Sequence, residues 1–560
     1  MPSFIDTITL RHWRAAAFLG LVCLALFLPG IFSLQPMDRD EPRFAQASKQ
    51  MLETGDFVRI RFQTQARNNK PAGIYWLQAA SVSAGQGLGV ADARRQIWLY
   101  RLPSLAGAIA AVLLTYWTAL AFVARGPALL AALLLAATVQ LGVEARLAKT
   151  DAVLLATIVA AMGAFARMYL SARQDTQKPR DWRIPAIFWT AIGFGLLIKG
   201  PITPLVPLLA GIALVVADRG AAWFRRLRLL PGIAWALALA LPWFVLILIE
   251  TKGGFLADSV GKDMLAKVGS GKESHGAPPL TYFAAFWLTA WPMAPLAALA
   301  APFVWKARRE IPVRFLLAWL LPLWILFELV PTKLPHYVLP AYPAIAILTA
   351  LFAEKALAPG FRQLGGSWRS WIAALLPFVA FALTAAGAAL AIYTKAWPHW
   401  LWFVFAPLAV WLSFAAVFRE RPAAARLVMA VAAAFCLYAA TFSGILTGGP
   451  GQIAAIAPQL ASAVRTAGHE KCKDPAIVTA GYYEPSLVFL TRTDLLMADG
   501  AHSGRWIADG TCRMALVDIR MEDAFRKESA GAEGLSLVRR VRGVNLNGGK
   551  PLDIGVWLRQ

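Results

Sequence analysis

Charge is what this chain has least of. Only 16% of its 560 residues are charged, against 58% hydrophobic, where an average soluble protein carries about 25% charged residues. Such a chain cannot coat several water-soluble domains, so the prior of roughly four domains at about 150 residues each is overruled. The same composition excludes a disordered tail protein, and four cysteines are too few for a secreted disulfide scaffold. Acids are the scarcer sign: 32 Asp and Glu against 55 Lys and Arg leave a formal net charge of +23. In a soluble protein that excess would suggest nucleic acid; here the basic residues must first be placed relative to a membrane.

The apolar residues fall into about 13 runs, near 16–35, 100–122, 126–142, 152–171, 184–199, 202–217, 229–249, 283–305, 315–330, 338–353, 370–394, 400–418 and 425–446. Runs of about 17–25 residues separated by short charged loops are the arithmetic of bilayer-spanning helices. The expected class is a polytopic α-helical membrane protein. One alternate set of loops holds about 21 basic residues, including Arg173, Lys178, Arg225, Arg226, Lys306, Arg308 and Arg309. The opposing short loops hold only Arg146, Lys149, Lys199, Lys333 and Lys395. This asymmetry predicts a cytoplasmic N-terminus, and an odd helix count puts the C-terminus outside. The first run lacks a small-x-small cleavage site and reads as a retained helix.

Two outer loops are long, near 36–98 and 251–282. In the first, Glu41–Glu53 and Ile74–Val90 have apolar residues at helical spacing and are expected to lie in the interface. Residues 1–446 form the membrane domain. After the turn Gly448–Gly451 the polarity becomes ordinary, and 447–560 is expected to be a small outer α/β domain. Its strand-like runs are Ala476–Ala480, Met514–Ile519, Leu535–Val544 and Ile554–Leu558. Cys472 and Cys512 both fall in this tail, where an oxidising compartment permits a disulfide. Their spacing along the chain does not supply the Cα separation.

Ionisable residues are few inside the runs and cluster on the outer loops. Met37–Phe44 places Asp38, Asp40 and Glu41 beside Arg39 and Arg43. Taken alone, it reads first as a solvated turn with a helix cap at Asp40 before Pro42. Other clusters share that side: Asn68-Asn69-Lys70-Pro71 before Tyr75, Arg146 with Lys149 and Asp151, Lys199-Gly200-Pro201, Lys262–His275 including Lys267, and Pro331–Tyr337 before Tyr342. Each alone fits lysine snorkelling or an aromatic belt. Converging on one vestibule they would form a basic pocket with an acidic centre, suited to a phosphate-bearing lipid whose tail lies in the bilayer. His275 and His336 could join an acid around a divalent metal, but no His-x-x-His spacing supports it, and ordinary polar residues are the plainer reading.

These motifs, taken in order, resemble the 4-amino-4-deoxy-L-arabinose lipid A transferase family of GT-C integral-membrane glycosyltransferases, which are related to the protein O-mannosyltransferases. The carrying segments are Met37–Phe44 (MDRDEPRF), Asn69–Trp76 (NKPAGIYW), Lys149–Asp151, Lys199–Pro201 and Lys333–Pro340 (KLPHYVLP). The resemblance implies a GT-C fold in a bacterial inner membrane, with the active site and tail on the periplasmic face. It implies a sugar, aminoarabinose first, moved from undecaprenyl phosphate to a lipid A phosphate, a modification that favours polymyxin resistance. It maps catalytic acids to Asp40, Asp151 and Glu41. Donor phosphate and lipid binding map to Lys70, Lys267, Lys333, Tyr337, Arg43, Tyr75, Tyr342 and Lys199. No cofactor is implied beyond an optional divalent metal, no nucleic acid, and a monomer is expected. Asn69 stands where some relatives carry an acid, which leaves the sugar (galacturonate, galactosamine or mannose) and any metal ligand there open. Two further readings are a protein hydroxyl acceptor and a lipid-linked sugar transporter. The transporter reading predicts inverted repeats and polar spans, and neither is evident.

Overall fold

Long apolar runs in a membrane must satisfy their backbone groups internally, and helices do so. The computed structural model describes residues 4–36, 40–174, 181–259, 261, 276–357, 368–467, 472, 474–545 and 550–560. Every apolar run contains a helix. Among the described residues seven helices are long and apolar enough to cross a membrane, or eight if the bent pair Thr281–Thr289 and Met293–Lys306 counts as one span. Four more, His12–Phe27, Arg125–Ala137, Ile202–Asp218 and Pro335–Leu351, are apolar but shorter. The count near 13 therefore reads as helices, not as full-length spans. Pro292, Pro295, Pro335 and Pro340 lie in or beside the bent and shorter elements, where a missing N–H interrupts the ladder.

The spans meet through small residues. A Cβ on Gly107 of helix Ile97–Ala119 would lie 2.7 Å from the Val153 nitrogen, so glycine lets this helix rest against the start of helix Asp151–Gln174. One apolar core, from Ala15 to Phe442, runs through the bundle.

The first long loop forms helices Asp40–Thr54 and Gly73–Gly87 with a short hairpin between, Arg61–Phe62 against Gln65–Ala66. Helix Asp40–Thr54 does not lie open in the interface as expected. Glu41, Gln46, Ser48, Lys49 and Gln50 are all buried on it: Ser48 and Gln50 donate within the loop, to Gln78 at 2.7 Å and the Gln63 carbonyl at 2.9 Å, while the tail domain covers Gln46 and Lys49. Gln46 donates to the Thr493 hydroxyl at 2.8 Å, Lys49 to the Phe489 carbonyl at 3.1 Å, and Thr493 to Glu53 at 2.8 Å.

The tail is a five-stranded sheet in the order Leu496–Met497, Ala476–Ala480, Arg513–Asp518, Lys550–Arg559, Leu535–Asn545. The first three strands are parallel and the last two pairings antiparallel. Helices Ile456–Ala467, Gly500–Ala508 and Ile519–Glu528 accompany it. Leu496–Met497 and Gly500–Ala508 are additions to the sequence-based reading, being only two and nine residues long. Cys472 and Cys512 are joined in a disulfide with a Cα separation of 5.4 Å, just ahead of the neighbouring strands Ala476–Ala480 and Arg513–Asp518. It closes a loop of 40 residues, worth about 4 kcal/mol by loop entropy. Replacing both cysteines by serine is expected to sensitise the tail to protease at temperatures where the bundle stays folded. Unchanged cleavage kinetics would show that the sheet holds without the bond.

Candidate active site

Five chain segments converge at the loop-bearing end of the bundle. Helix Asp40–Thr54 opens with Asp40 and Glu41 in its first turn, where the helix dipole favours carboxylates. Asp40 is half-buried and acts electrostatically on Tyr75. The Tyr75 ring stacks on Phe44 at 5.3 Å, and its hydroxyl accepts from Arg67 Nε at 3.3 Å. Burial, reinforced by the Asp40 charge and opposed by Arg67, raises the Tyr75 pKa above its ordinary value. Gly73 fixes the second loop helix: a Cβ there would lie 2.7 Å from the Leu197 carbonyl oxygen, so glycine seats the Asn69–Trp76 motif against the end of helix Arg183–Lys199. That seating brings the half-buried Lys70 within electrostatic reach of His336.

At the centre lies a buried network. Lys199 Nζ donates to Asp151 Oδ1 at 2.5 Å. His336 sits between two acids, Nε2 3.7 Å from Asp151 Oδ1 and Nδ1 3.7 Å from Glu144 Oε1. Lys149 Nζ is 4.0 Å from the same Glu144 oxygen, which also accepts from Gln140 at 3.0 Å. Lys199 lies 5.5 Å from the Tyr337 ring centroid, and Tyr337 meets His336 edge-on at 5.1 Å. The positions of Lys199 and Tyr337 follow from local turns. Gly200, at φ +63, ends helix Arg183–Lys199, and the proline-bounded turn Pro335–Ala341 presents His336 and Tyr337.

Glu144, Asp151 and His336 can bring one ligand atom each to within 4.8 Å of one another. Both carboxylates already face lysines, however. A divalent ion would have to displace Lys199 from Asp151 and place two added charges beside Lys149, so the donor set fits an ion-pair network better than a metal seat.

The other sequence-derived residues are placed as follows. Arg43, one turn beyond Asp40, is half-buried and makes no ion pair or side-chain hydrogen bond among the described residues. Three assignments change. The family resemblance maps Glu41 to the catalytic acids, but it is fully buried in a two-point ion pair with Arg101, at 2.7 and 3.0 Å, and also accepts from the Ala148 N–H at 2.9 Å. Both oxygens are committed, so the geometry makes it a structural anchor. The resemblance also maps Lys333 to donor phosphate binding. Its ammonium instead donates to the carbonyls of Phe327, Glu328 and Val330 at 2.9, 2.6 and 2.6 Å, using all three protons to close the end of helix Ile311–Leu329. Tyr342, which the resemblance maps to donor binding, is fully buried with its hydroxyl 2.7 Å from Thr289 Oγ1. Lys267 and His275 lie outside the described residues.

Lys333→Met is therefore expected to lower thermal stability by about 1–3 kcal/mol, because it strands buried carbonyls, while donor affinity stays within threefold of wild type. Thermal melts and donor-binding isotherms on the purified protein check this. A selective loss of donor affinity would return Lys333 to the clamp.

Glu144 and Arg101 escaped the sequence reading. Each is a charge at the edge of an apolar run, and that was the available signal: a charge there requires a partner, though only the fold names it.

The profile of the dolichyl-phosphate-mannose-protein mannosyltransferase family matches residues 16–253. An uncharacterised protein of Aquifex aeolicus is 25% identical over 345 residues, covering 60% of this chain and 73% of that protein. The undecaprenyl phosphate-alpha-4-amino-4-deoxy-L-arabinose arabinosyl transferase of Pseudomonas aeruginosa is 28% identical over 338 residues, 58% of each chain. The match thus spans a little over half the length of that transferase. The crystal structure of ArnT from Cupriavidus metallidurans bound to undecaprenyl phosphate superposes with a TM-score of 0.73 at 18% identity, covering 96% of this chain and 97% of that one. At that identity the likeness concerns the fold. The fold is that of the GT-C integral-membrane glycosyltransferases.

Proposed function

We propose that the chain transfers a sugar from a polyprenyl-phosphate donor, aminoarabinose from undecaprenyl phosphate first, to a phosphate of lipid A on the outer face of a bacterial inner membrane. The observation that carries this is the buried Asp151–Lys199–His336 network with Lys70 in electrostatic reach of it, together with the half-buried Asp40 acting on Tyr75 of the same loop. The names of the relatives supply the donor and sugar classes.

In the reaction, the bond between the sugar's anomeric carbon and the donor phosphate oxygen breaks, its electron pair leaving with the polyprenyl phosphate. An acceptor oxygen forms the new bond. The transition state has oxocarbenium character, so a carboxylate held in a water-poor site stabilises it. Asp40 takes that role. Lys70 and Arg43 neutralise the departing phosphate, and Lys199 holds Asp151 in place facing the sugar. A phosphate acceptor is already anionic and needs no general base. A hydroxyl acceptor would need one, and Asp40 would then serve. The match to protein mannosyltransferases keeps a protein hydroxyl as the second reading.

Mass spectrometry of lipid A from cells with and without the protein tests the proposal. A pentosamine increment that requires the protein is expected. A hexosamine or hexuronate increment would revise the sugar, and a shift on envelope proteins with lipid A unchanged would overturn the acceptor.

A further inference from the structure

An arginine without an assigned role lies against the helix face that carries Asp40. Asp40 and Phe44 stand one turn apart on helix Asp40–Thr54 and so share a face. The Arg67 guanidinium lies over the Phe44 ring, 5.0 Å from its centroid, and Nε donates to the Tyr75 hydroxyl at 3.3 Å. These two contacts fix its plane. Nη1 and Nη2 make no ion pair and no hydrogen bond among the described residues. Arg67 and Asp40 both act electrostatically on the Tyr75 hydroxyl, yet no ion pair joins them. Arg67 is half-buried, and a held guanidinium whose forked nitrogens meet no carboxylate is a seat for an external oxyanion.

The segment that carries Arg67 is held from three sides. The hairpin Arg61–Phe62 against Gln65–Ala66 turns at Gln63, whose φ of +55 is uncommon for a residue with a side chain. That side chain reaches the tail domain, where Nε2 donates to the carbonyls of Thr493 and Leu495 at 3.1 and 2.7 Å. Gln50 exchanges two bonds with the same residue, accepting from its N–H at 2.8 Å and donating to its carbonyl at 2.9 Å. The Arg67 N–H closes the hairpin on the Ile60 carbonyl at 2.8 Å, and the buried Asn68 donates to Asp258 of the second long loop at 3.0 Å. Tail, loop helix and second loop thus converge on one stretch that runs from Gln63 through Arg67 to Lys70. A binding group held this way is in position before its ligand arrives, which lowers the ordering cost of binding.

We propose that Arg67 binds the donor phosphate, with Nη1 and Nη2 each donating to one unesterified oxygen of the phosphodiester. The proposal rests on the reading of a polyprenyl-phosphate sugar donor. A phosphodiester has two such oxygens, which match the fork of one guanidinium, whereas a neutral or amino sugar offers no anion to it. Lys70, three residues on, reaches the buried network electrostatically and supplies a point charge where Arg67 supplies direction. As the bond from the anomeric carbon to the phosphate oxygen breaks, its electron pair stays on the phosphate. The departing group then carries one more negative charge, and the grip of Arg67 strengthens along the reaction.

The test uses the full chain in nanodiscs and two probes that differ only in the phosphate, undecaprenyl phosphate and undecaprenol, with no acceptor present. Wild type is expected to bind the phosphate form more tightly. Arg67→Gln should weaken undecaprenyl phosphate by about thirtyfold while leaving undecaprenol within about twofold. Arg67→Lys keeps the charge but loses the fork, and its loss should lie between, at about fivefold. The undecaprenol arm reports whether the site still folds. A variant that weakens both lipids alike would make Arg67 a packing residue and overturn the proposal. A phosphate-selective wild type whose selectivity survives in Arg67→Gln would overturn it while leaving the donor reading intact. A wild type that binds the two lipids alike would overturn the donor reading and the proposal together.

Discussion

Asp40→Asn is expected to reduce transfer by about a thousandfold while the protein folds normally. The substitution is isosteric and leaves the half-buried first turn of helix Asp40–Thr54 filled. What is lost is one negative charge. At about 4 Å, with an effective dielectric constant near 20, that charge is worth about 4 kcal/mol to a developing cation, and each 1.4 kcal/mol is tenfold in rate. The stability cost is much smaller, about 0.3–1 kcal/mol, for a lost carboxylate at a helix N-terminus. Transfer assays in proteoliposomes, paired with thermal melts, separate the two effects. Activity within threefold of wild type would remove Asp40 from the chemistry and shift attention to Asp151. Because Asp151 is held by Lys199 at 2.5 Å, its asparagine variant should disturb both position and rate.

Arg101→Met is expected to be the most destabilising single change among the buried charges, by about 3–5 kcal/mol. Arg101 is fully buried. Besides its two bonds to Glu41, it donates to the carbonyls of Ile31, Leu34 and Gln35 at 3.1, 2.7 and 3.0 Å. It therefore ties the exit of the first apolar helix to the start of helix Asp40–Thr54, and Glu41 ties that helix to Ala148, close to Asp151. Removing the arginine leaves Glu41 buried with its charge uncompensated. Adding Glu41→Gln should restore part of the loss, since the stranded charge is then gone, and the double-mutant cycle measures the coupling. Melting curves in detergent for the four proteins decide it. Strictly additive effects would show that the two groups act independently and that Glu41 is free for another role.

These two acids show how far a sequence carries. Asp40 and Glu41 are neighbours in one motif and look alike as chemistry. One sits half-buried beside Tyr75, while the other is consumed by an arginine 60 positions away. Lys70 and Lys333 diverge in the same way: both precede proline-containing turns, yet Lys333 spends its protons on a helix end. Composition cannot distinguish such pairs, because a side chain's role depends on which donors and acceptors lie within about 3 Å of it, and those come from distant segments.

Properties summed along the chain were determined by the sequence itself. Apolar runs, lysine-bearing turns and the change in polarity near residue 447 report local free energies of transfer and backbone preference, which need no knowledge of neighbours. They placed the helices, the tail sheet and the cluster of motifs at one end of the bundle. Tertiary structure alone decided that Glu144 joins Asp151 around His336 and that the tail covers helix Asp40–Thr54. It also decided that Arg492 pairs with both Asp474 and Asp494. Those outcomes are pairings across tens to hundreds of residues, and Coulomb and hydrogen-bond energies fall off too steeply with distance to be read before the fold brings the groups together.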